Sequence, residues 1–345
     1  MDWITIDGSY GEGGGQIIRT SVALSAITNK PVEIANIRAK RTKPGLQAQH
    51  LTSVKAAATL CNAKLFGAEL GSQWIRFEPQ GFTSGGDFRF DVGTAGATGL
   101  VAQTILIPMS CTGNSVRAEI CGGTHVPMAP PADYIAAVYA PILKRMGVEA
   151  NVTMERAGFF PKGGGEIALE VLGRPIVPID LTERGRLKSL TIYVTTAGLP
   201  NHVAERGVEA MLKPLKDYGV PIQPVIQRLE SHGAGAAILL VAECEYGIGG
   251  WVGLGERGKP MERVAAETVR GFEKWYKTAA AVDAHLADQL VLPCALIAGE
   301  SCWTTPEITE HLRTVLFVTE QFLPITYELV ENADGSGLVT LTGAN

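Results

Sequence analysis

Along the first 146 residues, short strand-like segments alternate with glycine turns and helical runs, a rhythm that restricts the chain to α/β architectures built from small units. Residues 4–6 (Ile-Thr-Ile) read as a strand and residues 8–15 as a loop. Residues 16–28 read as a helix, with Ile17, Ile18, Val22 and Leu24 at helical offsets. Residues 32–37 alternate as a strand and residues 46–61 return to helix. A unit of strand, helix, strand, helix, strand, strand is therefore expected to close near Phe90. A second copy follows, with helix over 95–110, strand over 116–120 and helix over 132–146.

Two self-similarities suggest a third copy. Ala102-Gln103-Thr104-Ile105-Leu106-Ile107-Pro108 shares its Ala-to-Pro spacing and apolar pattern with Ala287-Asp288-Gln289-Leu290-Val291-Leu292-Pro293. Gly11-Glu12-Gly13-Gly14-Gly15-Gln16 is echoed by Lys162-Gly163-Gly164-Gly165-Glu166. The fold class expected is α+β, with three duplicated modules. Residues 183–277 interrupt them with strands at 190–195 and 236–244 and helices at 203–218 and 261–276. The expected division is a large catalytic domain, 1–184 and 278–345, with a small domain, 185–277, inserted into it.

Composition excludes several classes. Glycine supplies 40 of 345 residues, well above the ~7% of an average chain, but without a G-x-y period. The net charge of −5 gives no global attraction to nucleic acid. No run of about 18 apolar residues occurs, and Met1-Asp2-Trp3-Ile4 offers no basic leader, so a cytoplasmic protein is expected. The six cysteines form no C-x-x-C pair and read as reduced thiols, mostly filling the core.

The sharpest motif is Asp7-Gly8-Ser9-Tyr10-Gly11-Glu12-Gly13-Gly14-Gly15-Gln16-Ile17-Ile18-Arg19. Glycines let backbone N–H groups close on an anion, and the following helix adds the positive end of its dipole. The segment is neither a Walker loop nor a dinucleotide fingerprint. Glu12 suits a divalent metal held against phosphate oxygens. Arg38-Ala39-Lys40-Arg41-Thr42-Lys43 places four cations in six residues; read as extended, Arg38 and Lys40 share a face while Arg41 lies on the other or in the following turn, and the segment with Arg19 could clamp a terminal phosphate or an RNA backbone. Gln47, Gln49 and His50 follow and could reach a sugar or base. Thr305-Pro306-Glu307 reads as a helix start, with Thr305 as cap, leaving His311 at the edge of a buried stripe of Ile308, Leu312, Val315 and Leu316. On pattern alone His311, like His50, His125, His202, His232 and His285, reads as structural.

Together these segments resemble the RNA 3′-terminal phosphate cyclase family. The resemblance also runs through Gln49-His50-Leu51, Gly71-Ser72, Gly122-Gly123-Thr124, Ala129-Pro130-Pro131-Ala132-Asp133, Gly158-Phe159-Phe160-Pro161, His202-Val203-Ala204-Glu205-Arg206, the 286–293 segment and His311-Leu312. It implies three modules of two helices on a four-stranded sheet, with an inserted thioredoxin-like domain. It implies ATP and a divalent metal, Mg or Mn, as cofactors, and an RNA ending in a 3′-phosphate as partner. It further implies that the RNA end becomes a 2′,3′-cyclic phosphate through covalent histidine-AMP and RNA-adenylate intermediates. His311 matches the nucleophile, and Glu12 the acid that places the metal. Arg19, Arg38, Arg41 and Gln49 match residues around phosphates. Pro130 and His285 would flank adenine, with Gln103, Leu286, Ala287, Asp288 and Gln289 beside the nucleotide. His285 departs from the family's usual Tyr, and His125 from its Asp or Asn. A non-catalytic ribosome-assembly relative of the same fold is the rival; retention of His311, Glu12 and the arginines argues against it.

Overall fold

The computed structural model describes residues 3–173 and 175–343, so Met1 and Asp2 of the N-terminal reading lie outside the described residues. Three four-stranded sheets repeat one topology. In the first, strand Ile4–Asp7 runs parallel to Val32–Ala35, which pairs antiparallel with Ile75–Glu78, and Lys64–Phe66 takes the far edge. Helices Gly15–Thr28 and Ala48–Leu60 connect them.

The second sheet repeats this with Gly86–Asp91, Ser115–Gly122, Gly165–Leu172 and Glu149–Arg156. The third does so with Asp180–Leu181, Gly299–Thr305, Gly337–Gly343 and Thr326–Glu331. Phe90 therefore opens the second unit rather than closing the first, because its strand pairs with Ser115–Gly122.

The two similarities noted in the sequence fare differently. Ala102–Pro108 lies in helix Thr98–Ser110, and Ala287–Pro293 in the broken helix Ala284–Gln289 and Val291–Ala295. Both follow the first strand of their unit, so they are equivalent. The glycine turns are not: Gly11–Gly15 joins a strand to a helix, whereas Gly163–Gly165 lies between two antiparallel strands.

Between Asp180–Leu181 and Ala284–Gln289 the chain makes its own sheet. Leu187–Ala197 lies parallel to Ile222–Arg228 and antiparallel to Gly235–Cys244, which carries Ile248–Leu254 on its other side. Helices Asn201–Leu215 and Met261–Tyr276 cover it, burying Val264, Phe272 and Trp275 around a separate apolar core.

The helices of the three repeats pack together. Helix Gly15–Thr28 lies against Ala48–Leu60, Thr98–Ser110 and Glu310–Phe322, and its Ile17, Ile18, Val22 and Leu24 are fully buried. A helix enclosed on so many sides is stabilised by about 1.5–3 kcal/mol for each large apolar side chain it buries, and its position fixes the loop before it. Among the described residues, no helix is long and apolar enough to cross a membrane.

Candidate active site

The glycine loop is pinned at several points. Tyr10 stacks on Phe317 with ring centroids 3.7 Å apart, and Asp7 Oδ1 accepts from Ser9 N–H at 2.9 Å and from Asn36 at 3.2 Å. Gly13 has φ +58°, which favours glycine. At Gly15 a Cβ would stand 2.2 Å from His50 Nε2 and 3.0 Å from Arg19 Nη1. Helix Gly15–Thr28 thus begins without a side-chain cap, between two side chains that a larger residue would displace.

Helix Glu310–Phe322 supplies His311. Its cap is Thr309, whose hydroxyl accepts from Leu312 N–H at 3.1 Å, not Thr305. Thr305 is the last residue of strand Gly299–Thr305, where it pairs with Gly337, so sheet pairing overrides the local Thr-Pro-Glu signal. His311 is half-buried. Its Nδ1 contacts Gln16 Oε1, and its Nε2 lies 3.3 Å from Glu12 Oε2. Glu12 Oε2 also receives Arg41 Nη2 at 3.3 Å. Burial holds the His311 pKa below its usual value, against the opposing pull of Glu12.

His311 opens onto a cavity of about 430 Å³, within the range of small-molecule sites. Arg19, Gln103, Pro130, His285, Asp288 and Gln289 line it. They come from all three repeats: Arg19, Gln103 and the His285–Gln289 segment sit on helices, and Pro130 on the loop before the helix that starts at Ala132. Pro130 is seated by Gly99, where a Cβ would come within 1.9 Å of the Pro130 carbonyl oxygen. Trp251 and Leu254 of the inserted segment complete the wall. Leu286 and Ala287 instead face the core, at 0% and 1% exposure.

The basic segment is a turn, not an extended strand. Its preceding strand stops at Ala35, and Arg38 takes φ +51°. Arg38 Nη1 donates to the carbonyls of Lys43 and Gly45 at 2.6 and 2.9 Å, so this cation shapes its own loop. Arg41 alone of the pair reaches Glu12. Gln49 Oε1 accepts from Ala97 N–H at 2.9 Å, tying the first repeat to the second. His50 is buried, and its Nδ1 accepts from Gln47 N–H at 3.1 Å in a capping box. Burial and the Arg19 and Arg38 cations push its pKa down to about 3, so it stays neutral. His125 is also buried. It stacks on Phe159 and meets Thr124 and Asp133, and Asp133 accepts from Thr195 of the inserted segment.

Sequence reasoning missed Gln16 as a partner of His311, and missed Asp283. Asp283 is 2% exposed. Its carboxylate accepts from His285 N–H and Leu286 N–H at the start of helix Ala284–Gln289, from Gly250 N–H at 3.0 Å, and from Tyr134 Oη–H at 2.9 Å. One side chain thereby joins the second repeat, the third repeat and the inserted segment. An Asp directly before a helical run is the cap signal that could have marked it.

Asp288 faces the cavity between Arg19 and Gln16. Burial pushes its carboxyl pKa up to about 7, opposed by the charges of His285 and Arg19. Between the ordinary Asp range and that value, the folded chain holds a proton that the unfolded chain has released. Stability therefore falls as pH rises through this window and levels off above it. Asp288→Asn is expected to remove that slope and to raise stability at pH 8 by about 1–2 kcal/mol, a figure already reduced for cavity water. Urea unfolding at pH 5 and pH 8 checks it, and an unaltered slope in the variant would refute it.

The sequence model described as RNA 3′-terminal phosphate cyclase matches residues 10–329. The chain belongs to this family. A curated RNA 3′-terminal phosphate cyclase from Methylococcus capsulatus is 43% identical over 99% of this chain and 97% of its own. Relatives of the same name from Nostoc punctiforme and Pyrobaculum neutrophilum are 45% and 42% identical, over 92% and 94% of this chain and 94% of their own lengths. The solved enolpyruvyl transferase NikO from Streptomyces tendae aligns at 8% identity with a TM-score of 0.38 over 98% of this chain and 48% of its own. That likeness is too loose to bear on activity. Family membership thus rests on the sequence relatives, and the geometry adds where the family's motifs meet in this chain.

Proposed function

We propose that this chain converts an RNA 3′-terminal phosphate to a 2′,3′-cyclic phosphate at the expense of ATP, with His311 as nucleophile. The observation that carries the reading is the placement of His311 at the mouth of a nucleotide-sized cavity, with Nδ1 held by Gln16 and Nε2 toward Glu12. A 3′-phosphate lacks a good leaving group, and adenylylation provides one. His311 Nε2 forms a bond to the α-phosphorus of ATP, and the bond to pyrophosphate breaks. An oxygen of the RNA 3′-phosphate then takes the adenylyl group as the N–P bond breaks. The neighbouring 2′-hydroxyl loses its proton and attacks the RNA phosphorus, and AMP leaves. Splitting the transfer through the enzyme lowers each barrier.

The residues present fit a nucleotide. Gln289 Oε1 is buried without a donor while its Nε2 binds the His285 carbonyl, and the adenine amino group supplies the N–H it lacks. Pro130 and His285 stand in the same cavity to flank the base. Gln289→Met is expected to weaken ATP binding by about tenfold, the cost of one lost hydrogen bond of ~1–1.5 kcal/mol. A calorimetric Kd for ATP checks it, and an unchanged Kd would place the adenine elsewhere.

For a divalent metal the chain offers Glu12. Among the described residues, no group of three or more His, Cys, Asp or Glu could hold an ion. That donor set fits a metal arriving with the triphosphate, since Mg is commonly held by one or two carboxylates plus substrate phosphates. Bound there, it would neutralise phosphate charge. Arg19 and Arg41 contribute the same effect from the protein.

We also assign residues 1–184 and 278–345 to a catalytic domain and residues 185–277 to an inserted domain of thioredoxin-like topology. The separate sheet and apolar core support that division. An RNA oligonucleotide ending in a 3′-phosphate is expected to become resistant to phosphatase only when ATP is present. Continued sensitivity would exclude the cyclase activity.

A further inference from the structure

We propose that Trp74, beside the basic turn 38–43, is a stacking platform for a base of the single-stranded RNA that precedes the 3′-phosphate. The inference deepens the proposed function and rests on it for the RNA end that occupies the site.

The first sheet sets where the ring stands. Strand Ile75–Glu78 begins where Val32–Ala35 ends, since Ile34 pairs with Ile75, and Asp7 of the neighbouring strand pairs with Ala35. Trp74 therefore sits at the end of the sheet that delivers the glycine loop. Ile75 and Phe77 are buried while Trp74 and Arg76 are exposed, so strand alternation turns Trp74 away from the helices. Three backbone hydrogen bonds join its loop to the segment that carries the cations. Ile37 N–H donates to the Gln73 carbonyl at 2.9 Å, Leu46 N–H to the Ser72 carbonyl at 3.0 Å, and Gly71 N–H to the Leu46 carbonyl at 2.8 Å. From the same turn Arg41 meets Glu12, and Glu12 meets His311. A line of contacts thus runs from His311 over the basic turn to Trp74.

The indole is held in place and left open. Trp74 is 49% exposed. It packs on Gly67, where φ is +68° and a Cβ would stand 3.1 Å from two of its ring carbons. Ser72 Oγ–H donates to the Trp74 carbonyl at 2.6 Å and fixes the backbone that carries it. The charge beside it suits a polyanion. Residues 36–46 and 67–74 hold four cations and a single carboxylate, Glu69. Lys43 is exposed, and among the described residues it pairs with no carboxylate. On the open face of the second sheet, by contrast, Arg89 is neutralised by Glu119 and Glu166, and Arg117 by Glu119 and Glu170. An aromatic platform next to free cations is how single-stranded nucleic acid is held, with a base on the ring and phosphates along the charges.

The test measures binding to the full chain without ATP, using an RNA oligonucleotide that ends in a 3′-phosphate and a nucleoside 3′-monophosphate too short to reach Trp74. Trp74→Ala is expected to weaken the oligonucleotide about tenfold, the scale of one stacked base, and to leave the mononucleotide within about twofold. Trp74→Phe keeps a ring and should stay within about threefold of wild type. Lys43→Ala should reduce the slope of log Kd against log salt by about 0.7. Oligonucleotides lacking one base, at each of the last few positions in turn, are bound to the wild-type chain. One of them should bind about tenfold more weakly, and Trp74→Ala should not weaken it further. An alanine variant that binds the oligonucleotide as wild type does, or that loses the mononucleotide equally, overturns the proposal. So does a wild-type chain indifferent to every missing base, a result that needs no variant to fold. Cyclisation is read separately by phosphatase resistance. A chain that binds RNA through Trp74 without cyclising it refutes the proposed function and keeps the stacking site.

Discussion

His311→Ala is expected to abolish transfer of AMP from ATP to the protein and to lower ATP-dependent RNA cyclisation by on the order of 10³-fold or more. The expectation follows from the ring's surroundings. Among the cavity's nucleophiles, His311 is half-buried on the first turn of a helix, with burial favouring the neutral imidazole and Gln16 fixing its orientation. The other histidines near the glycine loop and the second repeat are committed elsewhere. His50 caps helix Ala48–Leu60, and His125 is locked between Phe159, Thr124 and Asp133. A general acid or base at position 311 would also lose rate when removed, commonly 10²–10⁴-fold, but would never carry label. Label together with rate therefore separates the two roles, and ATP binding measured in parallel should change little.

The second large effect belongs to Asp283. Asp283→Ala is expected to destabilise the chain by roughly 3–5 kcal/mol, because it strands backbone N–H groups and a tyrosine hydroxyl inside the protein. The groups left without their acceptor are Gly250 N–H, His285 N–H, Leu286 N–H and Tyr134 Oη–H. Since His285, Asp288 and Gln289 ride on the helix that Asp283 caps, nucleotide affinity should fall with stability. Asp283→Asn keeps one acceptor for the helix N–H groups but turns an NH₂ toward Gly250 N–H or Tyr134, so it should fall between wild type and alanine. Denaturant unfolding of the three chains orders them. An alanine variant within about 1 kcal/mol of wild type would show that the junction adds nothing beyond a surface hydrogen bond.

The repeated module was legible because local signals suffice for it. Strand, glycine turn and helix recur, and the Ala-to-Pro segments at 102–108 and 287–293 occupy equivalent places in two copies. Where partners lie far apart in sequence, local pattern ran out. Gln16 and His311 are separated by 295 positions, and Tyr134 and Asp283 by 149. No spacing rule predicts either contact.

The same limit explains the errors. Thr305-Pro306-Glu307 has the residues of a helix start, yet Thr305 is claimed by pairing with Gly337 and the start moves to Thr309. Residues 36–43 have the composition of an exposed basic strand. Ile37 N–H, however, bonds the Gln73 carbonyl at 2.9 Å and Gly45 N–H bonds the Ile37 carbonyl, bending the segment into a turn. Arg38 is thereby spent on carbonyls of its own loop, and Arg41 is the cation that meets Glu12. Leu286 and Ala287 share a motif with Asp288 and Gln289, but helical geometry turns the first two to the core and the last two to the cavity.

The central claim is that His311 receives AMP from ATP. Mass spectrometry of the chain after incubation with ATP and Mg tests it most directly. One added AMP per chain is expected, labile to acid and stable to alkali, on the peptide that contains His311, with one pyrophosphate released. An adduct on any other residue, or none while ATP is bound, would contradict it.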